Sequence, residues 1–288
     1  MILLGLLMPR SRNAAANPAG STNAGPLGAG ANLAAVERAR LRHHQPGSGP
    51  AVSAEELVAA KVTRFAQSRR AITRAMAEHF KVEMPAEVER FFDAAEAGRW
   101  DELKALFGSL DKRRRGAESD EGLRTLWPAI LETYSVAEVA HQWPPQKLLD
   151  YGDAVLGSLR SGMVYVGGTD AGRFIPTLLN ETSDGEHHIV LTQNALADGT
   201  YLQYVGYLYN DQMATLTGDD SQRAFQDYIT DGQKRFVHDQ EHPEEPKQLR
   251  PGEDVRVTDG RVQVSGQVAV MAINEKLLET IMNKNPGL

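Results

Sequence analysis

Apolar residues recur at Val58, Val62, Phe65, Ile72, Met76 and Phe80, a run of three-, four- and seven-residue spacings that lays one stripe along a helix. Ser53 stands at its start with Glu56 three positions on, the pattern in which two side chains satisfy each other's free backbone N–H groups. Pro85 punctuates. Val88, Phe91, Phe92 and Ala95 then mark one short helix, and Trp100, Leu103, Leu106, Phe107 and Leu110 another, joined at Gly98 as an αα-hairpin. Its length and small-residue turn are those of a single tetratricopeptide unit, but one copy without a period is not a repeat array. Two further helical stretches, Glu121 to His141 and Gln146 to Arg160, are divided by Trp143-Pro144-Pro145.

At Met163 the period changes. Met163-Val164-Tyr165-Val166 is a short β-prone run ending at Gly167-Gly168, and His188-Ile189-Val190-Leu191 and Met213-Ala214-Thr215-Leu216 repeat the type. Helices are predicted between and after them: about Gly172 to Asn180, about Thr200 to Tyr209, and one carrying Phe225, Tyr228 and Ile229. Strands alternating with helices specify right-handed crossovers and a parallel sheet covered on both faces. The expected class is therefore α/β, a Rossmann-like βαβ domain preceded by a helical region. The tail adds a hairpin turning at Asp259-Gly260, with Val257 opposite Val262, Val255 opposite Val264, and Arg256 and Gln263 on the other face. A last helix, capped at Asn274, carries Leu277, Leu278, Ile281 and Met282. The predicted organisation is a leader and linker over 1–52, a helical region over 53–160 and an α/β domain with hairpin and helix over 161–288.

Composition changes the picture mainly at the start. From Pro9 to Pro50 the chain is Ala, Gly, Asn, Pro and Ser, too poor in apolar surface to offset ordering, so it reads as a linker with a short helix at Asn32 to Arg42. Met1 to Met8 is an apolar stretch that reads either as the tail of a clipped export signal or anchor, or as a bland apolar start. No run reaches the roughly 20 apolar residues of a spanning helix, so any membrane association expected is peripheral or a tether at one end. The net charge of −7 argues against a nucleic-acid footprint. The absence of cysteine excludes disulfides, thiol nucleophiles and sulfur-built zinc sites. Lys112-Arg113-Arg114-Arg115 reads as a solvated loop complementing a helix C-terminus rather than as a nucleic-acid or anionic-lipid patch.

In a parallel sheet every loop that follows a strand leaves from one edge, where ligands bind. The candidates there are Gly168, Thr169, Asp170 and Arg173 from the first loop, and Gln193, Asn194 and Asp198 from the second. The third loop, Thr217 to Ser221, reads as a capped helix start, and Asp170 and Asp198 also stand where caps are expected. Arg173 is the stronger ligand candidate, because a guanidinium at a helix start suits an anion. The glycine spacing fits neither the dinucleotide nor the P-loop pattern, and no Gly-x-Ser-x-Gly elbow is present. His238 to His242 spells a zinc-peptidase string, but Pro243 biases His242 away from the helix the two imidazoles need to share. Tyr201, Tyr204, Tyr207 and Tyr209 form either a sugar-binding wall or a helix shoulder. Neither a metal nor a cofactor is expected.

Val164 to Phe174 and Val190 to Asp198 together resemble a module of uncharacterised envelope proteins of verrucomicrobial type. The same module follows the membrane helices of bacterial glycosyltransferases similar to protein O-mannosyltransferases. The resemblance covers residues 163 to about 230, with Ala171 where the family pattern has Pro. It implies an envelope setting, exported or anchored, and the handling of a glycan or lipid-linked sugar. No membrane helix of that family lies in this sequence, so no catalytic residue carries over. Three readings follow. The first is a binding or accessory domain holding a glycan or anionic sugar through Arg173, Asp170 and Asn194, with an envelope protein as a further partner. The second is a sugar- or phosphate-processing enzyme with Asp170 or Asp198 as acid/base and Arg173 stabilising charge. The third is a scaffold whose residues 53–160 offer a groove to a partner.

Overall fold

The computed structural model describes residues 52–116, 120–258 and 261–288. The Met1–Met8 run, the Pro9–Pro50 linker with its Asn32–Arg42 helix, Ser119 and the Asp259-Gly260 turn lie outside the described residues. Helix α1 (Ala54–Phe80) opens with the expected reciprocal cap, Ser53 Oγ accepting from Glu56 N–H while the Glu56 carboxylate accepts from Ser53 N–H. It ends at Lys81, whose left-handed backbone (φ 56°) turns the chain. Helices α2 (Ala86–Glu96) and α3 (Trp100–Arg115) form the αα-hairpin around Gly98, also at positive φ. Helix α4 (Glu121–Gln142) is capped by Asp120, and α5 (Pro145–Gly157) starts on a proline whose missing N–H costs nothing in a first turn.

The α3–α4 seam is an interleaved aromatic ladder. Trp100, Phe107 and Arg114 stand seven apart on α3, and Trp127, Tyr134 and His141 seven apart on α4. They alternate as His141, Trp100, Tyr134, Phe107, Trp127 and Arg114, with Phe107 and Tyr134 stacked at 3.8 Å. The basic run Lys112 to Arg115 is therefore not a loop, as expected, but the last turn of α3. Its arginines are neutralised locally, Arg113 by Asp120 and both Arg114 and Arg115 by Asp111.

Beyond residue 160 the α/β expectation is overturned. Strands β1 (Tyr165–Gly167) and β2 (Val190–Thr192), linked by α6 (Ala171–Glu181), pair in parallel with Tyr165 opposite Val190 and Gly167 opposite Thr192. The sheet stops at those two strands of three residues. Among the described residues there are nine α-helices and two two-stranded sheets, so the protein is mostly helical and holds no Rossmann-like sheet. Met213 to Leu216 is not a strand.

Where a third strand was expected an asparagine amide holds the backbone instead, and two more asparagine amides clamp the segments on either side of β2. Asn285 accepts from Ala214 N–H (2.7 Å) and donates to Ala214 O (2.9 Å). Asn180 does the same for His188 (2.8 and 2.9 Å). Asn274 accepts from Ala197 N–H (2.7 Å) and donates to Asn194 O (3.2 Å). Once a side-chain amide satisfies an extended backbone, no further strand is needed to do so.

A short 3₁₀ turn (Gln193–Ala195) and α7 (Gly199–Tyr209) follow β2. Helix α8 (Gly218–Glu241) carries Phe225, Tyr228 and Ile229 as expected and runs on to Glu241. Strands β3 (Asp254–Thr258) and β4 (Arg261–Ser265) pair in the register read from the alternation, Val255 with Val264, Val257 with Val262 and Arg256 with Gln263. They lie on α8 at Gly232, where a Cβ would meet Val264 and Val255 at 3.6 and 3.7 Å. Helix α9 (Gln267–Lys284) starts seven residues before the predicted cap, so Asn274 is interior and fully buried rather than a cap. The main core runs from Phe91, Phe92 and Ile130 in the helical region through Leu191 and Leu202 to Leu277, so the two parts share one interior.

Candidate functional site

The strand-end edge exists in reduced form, since β1 and β2 run parallel and deliver their following loops to the same side. A Cβ on Gly168 would lie 3.1 Å from Asp170 Oδ2 and 3.7 Å from Asn194 Nδ2, so the two loops touch there. Thr169, Asp170, Asn194 and Asp198 are exposed, while Gly168 and Gln193 are half-buried. Asp170 caps α6, accepting from Gly172 N–H at 2.8 Å. Asp198 caps α7, accepting from Thr200 N–H at 2.9 Å and the Thr200 hydroxyl at 2.8 Å. At both helix starts the position that suits an anion is thus filled by the protein's own carboxylate. The third loop is capped by Thr217, reciprocally with Asp220, rather than by Asp219 or Ser221.

Arg173 departs furthest from expectation. Because Gly167 has no side chain, the Arg173 stem lies against it, with Cβ and Cγ 2.7 Å from where a Gly167 Cβ would stand. The side chain is turned inward and the residue is only 5% exposed. Its Nη1 donates to Glu132 Oε1 at 2.5 Å and to Thr177 Oγ1 at 3.2 Å. Glu132 also accepts from Arg69 Nε and from the Tyr204 hydroxyl, each at 2.7 Å. Burial alone would push the Glu132 carboxyl up, but the Arg69 and Arg173 guanidinium groups outweigh it and hold it at about 2. Arg69 extends the cluster to Glu181. Arg173 is thus a structural partner of a buried carboxylate and does not face the edge.

The tyrosines follow the same logic. Tyr201 and Tyr204 are buried, Tyr201 accepting from Thr192 N–H at 2.7 Å, while Tyr207 packs against His79 and Phe80. They are a helix shoulder, not a wall. At the far end of α8 the His238 and His242 rings do sit together, 4.8 Å between centroids, because the helix runs to Glu241 and Pro243 acts only after it. Among the described residues no group of three His, Cys, Asp or Glu is arranged to hold a metal ion.

Gln193 leads instead to an open groove of about 520 Å³ between the loop after β2 and the outer face of α9. Arg250 lines it as well, with Gln267, Met271 and Glu275 along α9 at four-residue spacing. The Glu253 carboxylate, its side chain sealed from solvent, receives both Nη groups of Arg235, the Tyr228 hydroxyl and the backbone N–H of Arg250. The Arg235 fork is the main reason that Glu253 is held at about 2. The Arg250 backbone is thereby fixed, while its guanidinium has no ion-pair partner among the described residues. The Asn274 amide clamps the Gln193-bearing loop on the opposite wall. Comparison with family models, curated proteins and solved structures returns no match. Arg250 escaped the sequence reading because it is far from the strand ends in sequence. Its one local signal is the Arg250-Pro251-Gly252 turn, which aims a long cation out of a tight bend.

Proposed function

We propose that this chain is a non-catalytic binding or accessory domain that takes a glycan or anionic sugar into the groove lined by Gln193, Arg250 and Gln267. The observation that carries the reading is the Arg250 guanidinium, without an ion-pair partner among the described residues and on a fixed backbone, sharing one open groove with the amide of Gln193. A planar guanidinium and carboxamides are the groups that hold anions and sugar hydroxyls without chemistry on them. The enzyme reading loses its parts: Asp170 and Asp198 are spent as helix caps, and Arg173 neutralises Glu132 instead of a reacting oxygen. The scaffold reading needs an apolar surface on residues 53–160, where Leu131 is the one exposed large apolar side chain among the described residues. Among those residues no helix is long and apolar enough to cross a membrane. The envelope setting, exported or anchored, rests on the resemblance of residues 163 to about 230, and with it an envelope protein as partner.

A glycan array, followed by titration of its hits into wild type and the Arg250→Ala and Gln193→Ala variants, tests the proposal. Arg250 is exposed and Gln193 half-buried with no side-chain bond among the described residues, so both substitutions should leave unfolding nearly unchanged. Arg250→Ala should weaken binding by at least ~10-fold, the loss of one charge-assisted contact. An empty array, or hits indifferent to both substitutions, would remove the reading.

A further inference from the structure

Arg250 and Glu275 line the same groove and do not pair with each other, since no ion pair joins them among the described residues. They also line a second, smaller groove of about 250 Å³, contiguous with the first through Arg250, Ala272 and Glu275. Exposed opposite charges that can meet gain only about 0–1 kcal/mol by doing so. Leaving them apart therefore costs little, and it keeps the guanidinium donors and both carboxylate oxygens free for a third party. Neither backbone is free to drift: Arg250 is held by Glu253, and Glu275 directly follows the buried Asn274 clamp.

The two grooves differ in sign. To the shared pair the larger adds neutral amides, Gln193 and Gln267, and the apolar face of Met271, which is 40% exposed. The smaller adds Asp227 and Asp231, the latter paired with Arg235, and the Lys276–Glu279 ion pair. The larger side of Arg250 thus adds no charge of its own, and the smaller side of Glu275 carries an excess of carboxylate, with Asp227 outside any ion pair among the described residues.

We infer that the paired grooves recognise a zwitterion, a small molecule or glycan substituent with an oxyanion set on Arg250 and a primary ammonium set on Glu275. This rests on the binding reading above and narrows its ligand class from anionic sugar to one that also carries an amine. The same chemistry is offered by an amino-sugar phosphate and by a phosphoethanolamine group.

The test is calorimetric titration of the full chain and its Arg250→Gln and Glu275→Gln variants with glucosamine 6-phosphate, glucose 6-phosphate, glucosamine and O-phosphoethanolamine. Glucosamine 6-phosphate should bind at least ~10-fold more tightly than either single-charge sugar, one charge-assisted contact in each case. Glu275→Gln should reduce it to the level of glucose 6-phosphate, and Arg250→Gln to that of glucosamine. Comparable binding of O-phosphoethanolamine assigns recognition to the two charges alone, and its failure beside a tight amino-sugar phosphate assigns it to the sugar as well; either supports the inference. Equal binding of glucose 6-phosphate and glucosamine 6-phosphate, unaffected by Glu275→Gln but lost in Arg250→Gln, overturns the zwitterion and leaves the anionic-sugar reading standing. No binding of any probe overturns the zwitterion, and an empty glycan array in addition removes the binding reading too. Should either glutamine variant unfold, Arg250→Ala and Glu275→Ala carry the same comparison.

Discussion

Arg173 Nη1 lies 2.5 Å from Glu132 Oε1, and this pair joins the helix after β1 to the middle of α4. Arg69 from α1 and Tyr204 from α7 complete the set, so four helices converge on one carboxylate. Removing that carboxylate leaves the buried Arg173 without an ion-pair partner among the described residues and Arg69 with Glu181 alone. Breaking a buried pair from one side costs about 3–5 kcal/mol, and Glu132→Gln is expected to lose that much unfolding free energy in urea. Arg173→Ala should also destabilise but leave sugar binding by the folded fraction unchanged. A near-wild-type midpoint for Glu132→Gln would refute the structural role.

The same hub sets an acid limit on the fold. Folded Glu132 titrates at about 2 against an ordinary value of 4.5, so the native state binds its proton less readily than the unfolded chain. A depressed carboxylate stabilises the fold above the unfolded value, and that stability drains away as pH falls from about 4.5 toward 2. The shift amounts to roughly 3 kcal/mol at neutral pH. Denaturant midpoints measured from pH 7 to pH 3 should fall steeply below about 4.5, and the fall should be shallower in Glu132→Gln. Parallel curves for the two proteins would show that other carboxylates dominate.

Asp170 and Asp198 give the cleanest separation of capping from catalysis. Each side chain holds a first-turn N–H, so each alanine substitution should cost about 1 kcal/mol of stability. Asparagine keeps the accepting oxygen and should restore most of it. Thermal unfolding of the four variants reads this directly. A carboxylate that served in acid/base chemistry would show the reverse pattern, with asparagine as inactive as alanine and stability untouched.

How far the chain could be read from sequence depended on whether the decisive partner was local. The Ser53–Glu56 cap, the helical hairpin and the Val255–Val264 register are set by neighbours within a few residues or across one turn, and each is in place. Met213 to Leu216 has the composition of a strand, yet its partner is the Asn285 amide 71 residues away, which no periodicity announces. Arg173 likewise looked like a surface cation because Glu132, the residue that claims it, lies 41 positions upstream on another helix. Of the candidate site, Gln193 alone reaches the groove, and Arg250 enters only through the long-range fold.

The Asn274 clamp makes a prediction about loop order. Its amide is fully buried and serves both Ala197 N–H and Asn194 O, so Asn274→Leu leaves two backbone groups without partners. Losing each bond should cost about 0.5–1.5 kcal/mol, and hydrogen exchange at Ala197 should accelerate well beyond that of the α4 core. Unchanged protection at Ala197 would mean that the loop is held by something other than α9.

Close backbone approaches give a last, graded test of packing. A Cβ at Gly122 would stand 2.1 Å from the Glu83 carbonyl oxygen, which belongs to the main chain and cannot rotate away. At Gly152 the nearest atom is Leu179 Cδ1 at 2.3 Å, the end of a side chain with other rotamers, although Ile175 and Leu179 Cγ crowd it further. At Gly157, the last residue of α5, nothing lies within 4 Å. Gly122→Ala must therefore move the start of α4 or the segment before α2, and should exceed the usual overpacking cost of about 1–3 kcal/mol. Gly152→Ala should fall within that range, because α5 has to withdraw slightly from α6. Gly157→Ala should be neutral or stabilising by up to about 1 kcal/mol, since alanine gains helix propensity at no steric cost. Melting temperatures ranked in this order would support the close approaches at Gly122 and Gly152. Because α6 carries Arg173 into the Glu132 hub, a Gly152 variant that loosens the pair should also show a shallower loss of stability below about pH 4.5 than wild type. A Gly122→Ala protein as stable as wild type would contradict the approach of α4 to Glu83.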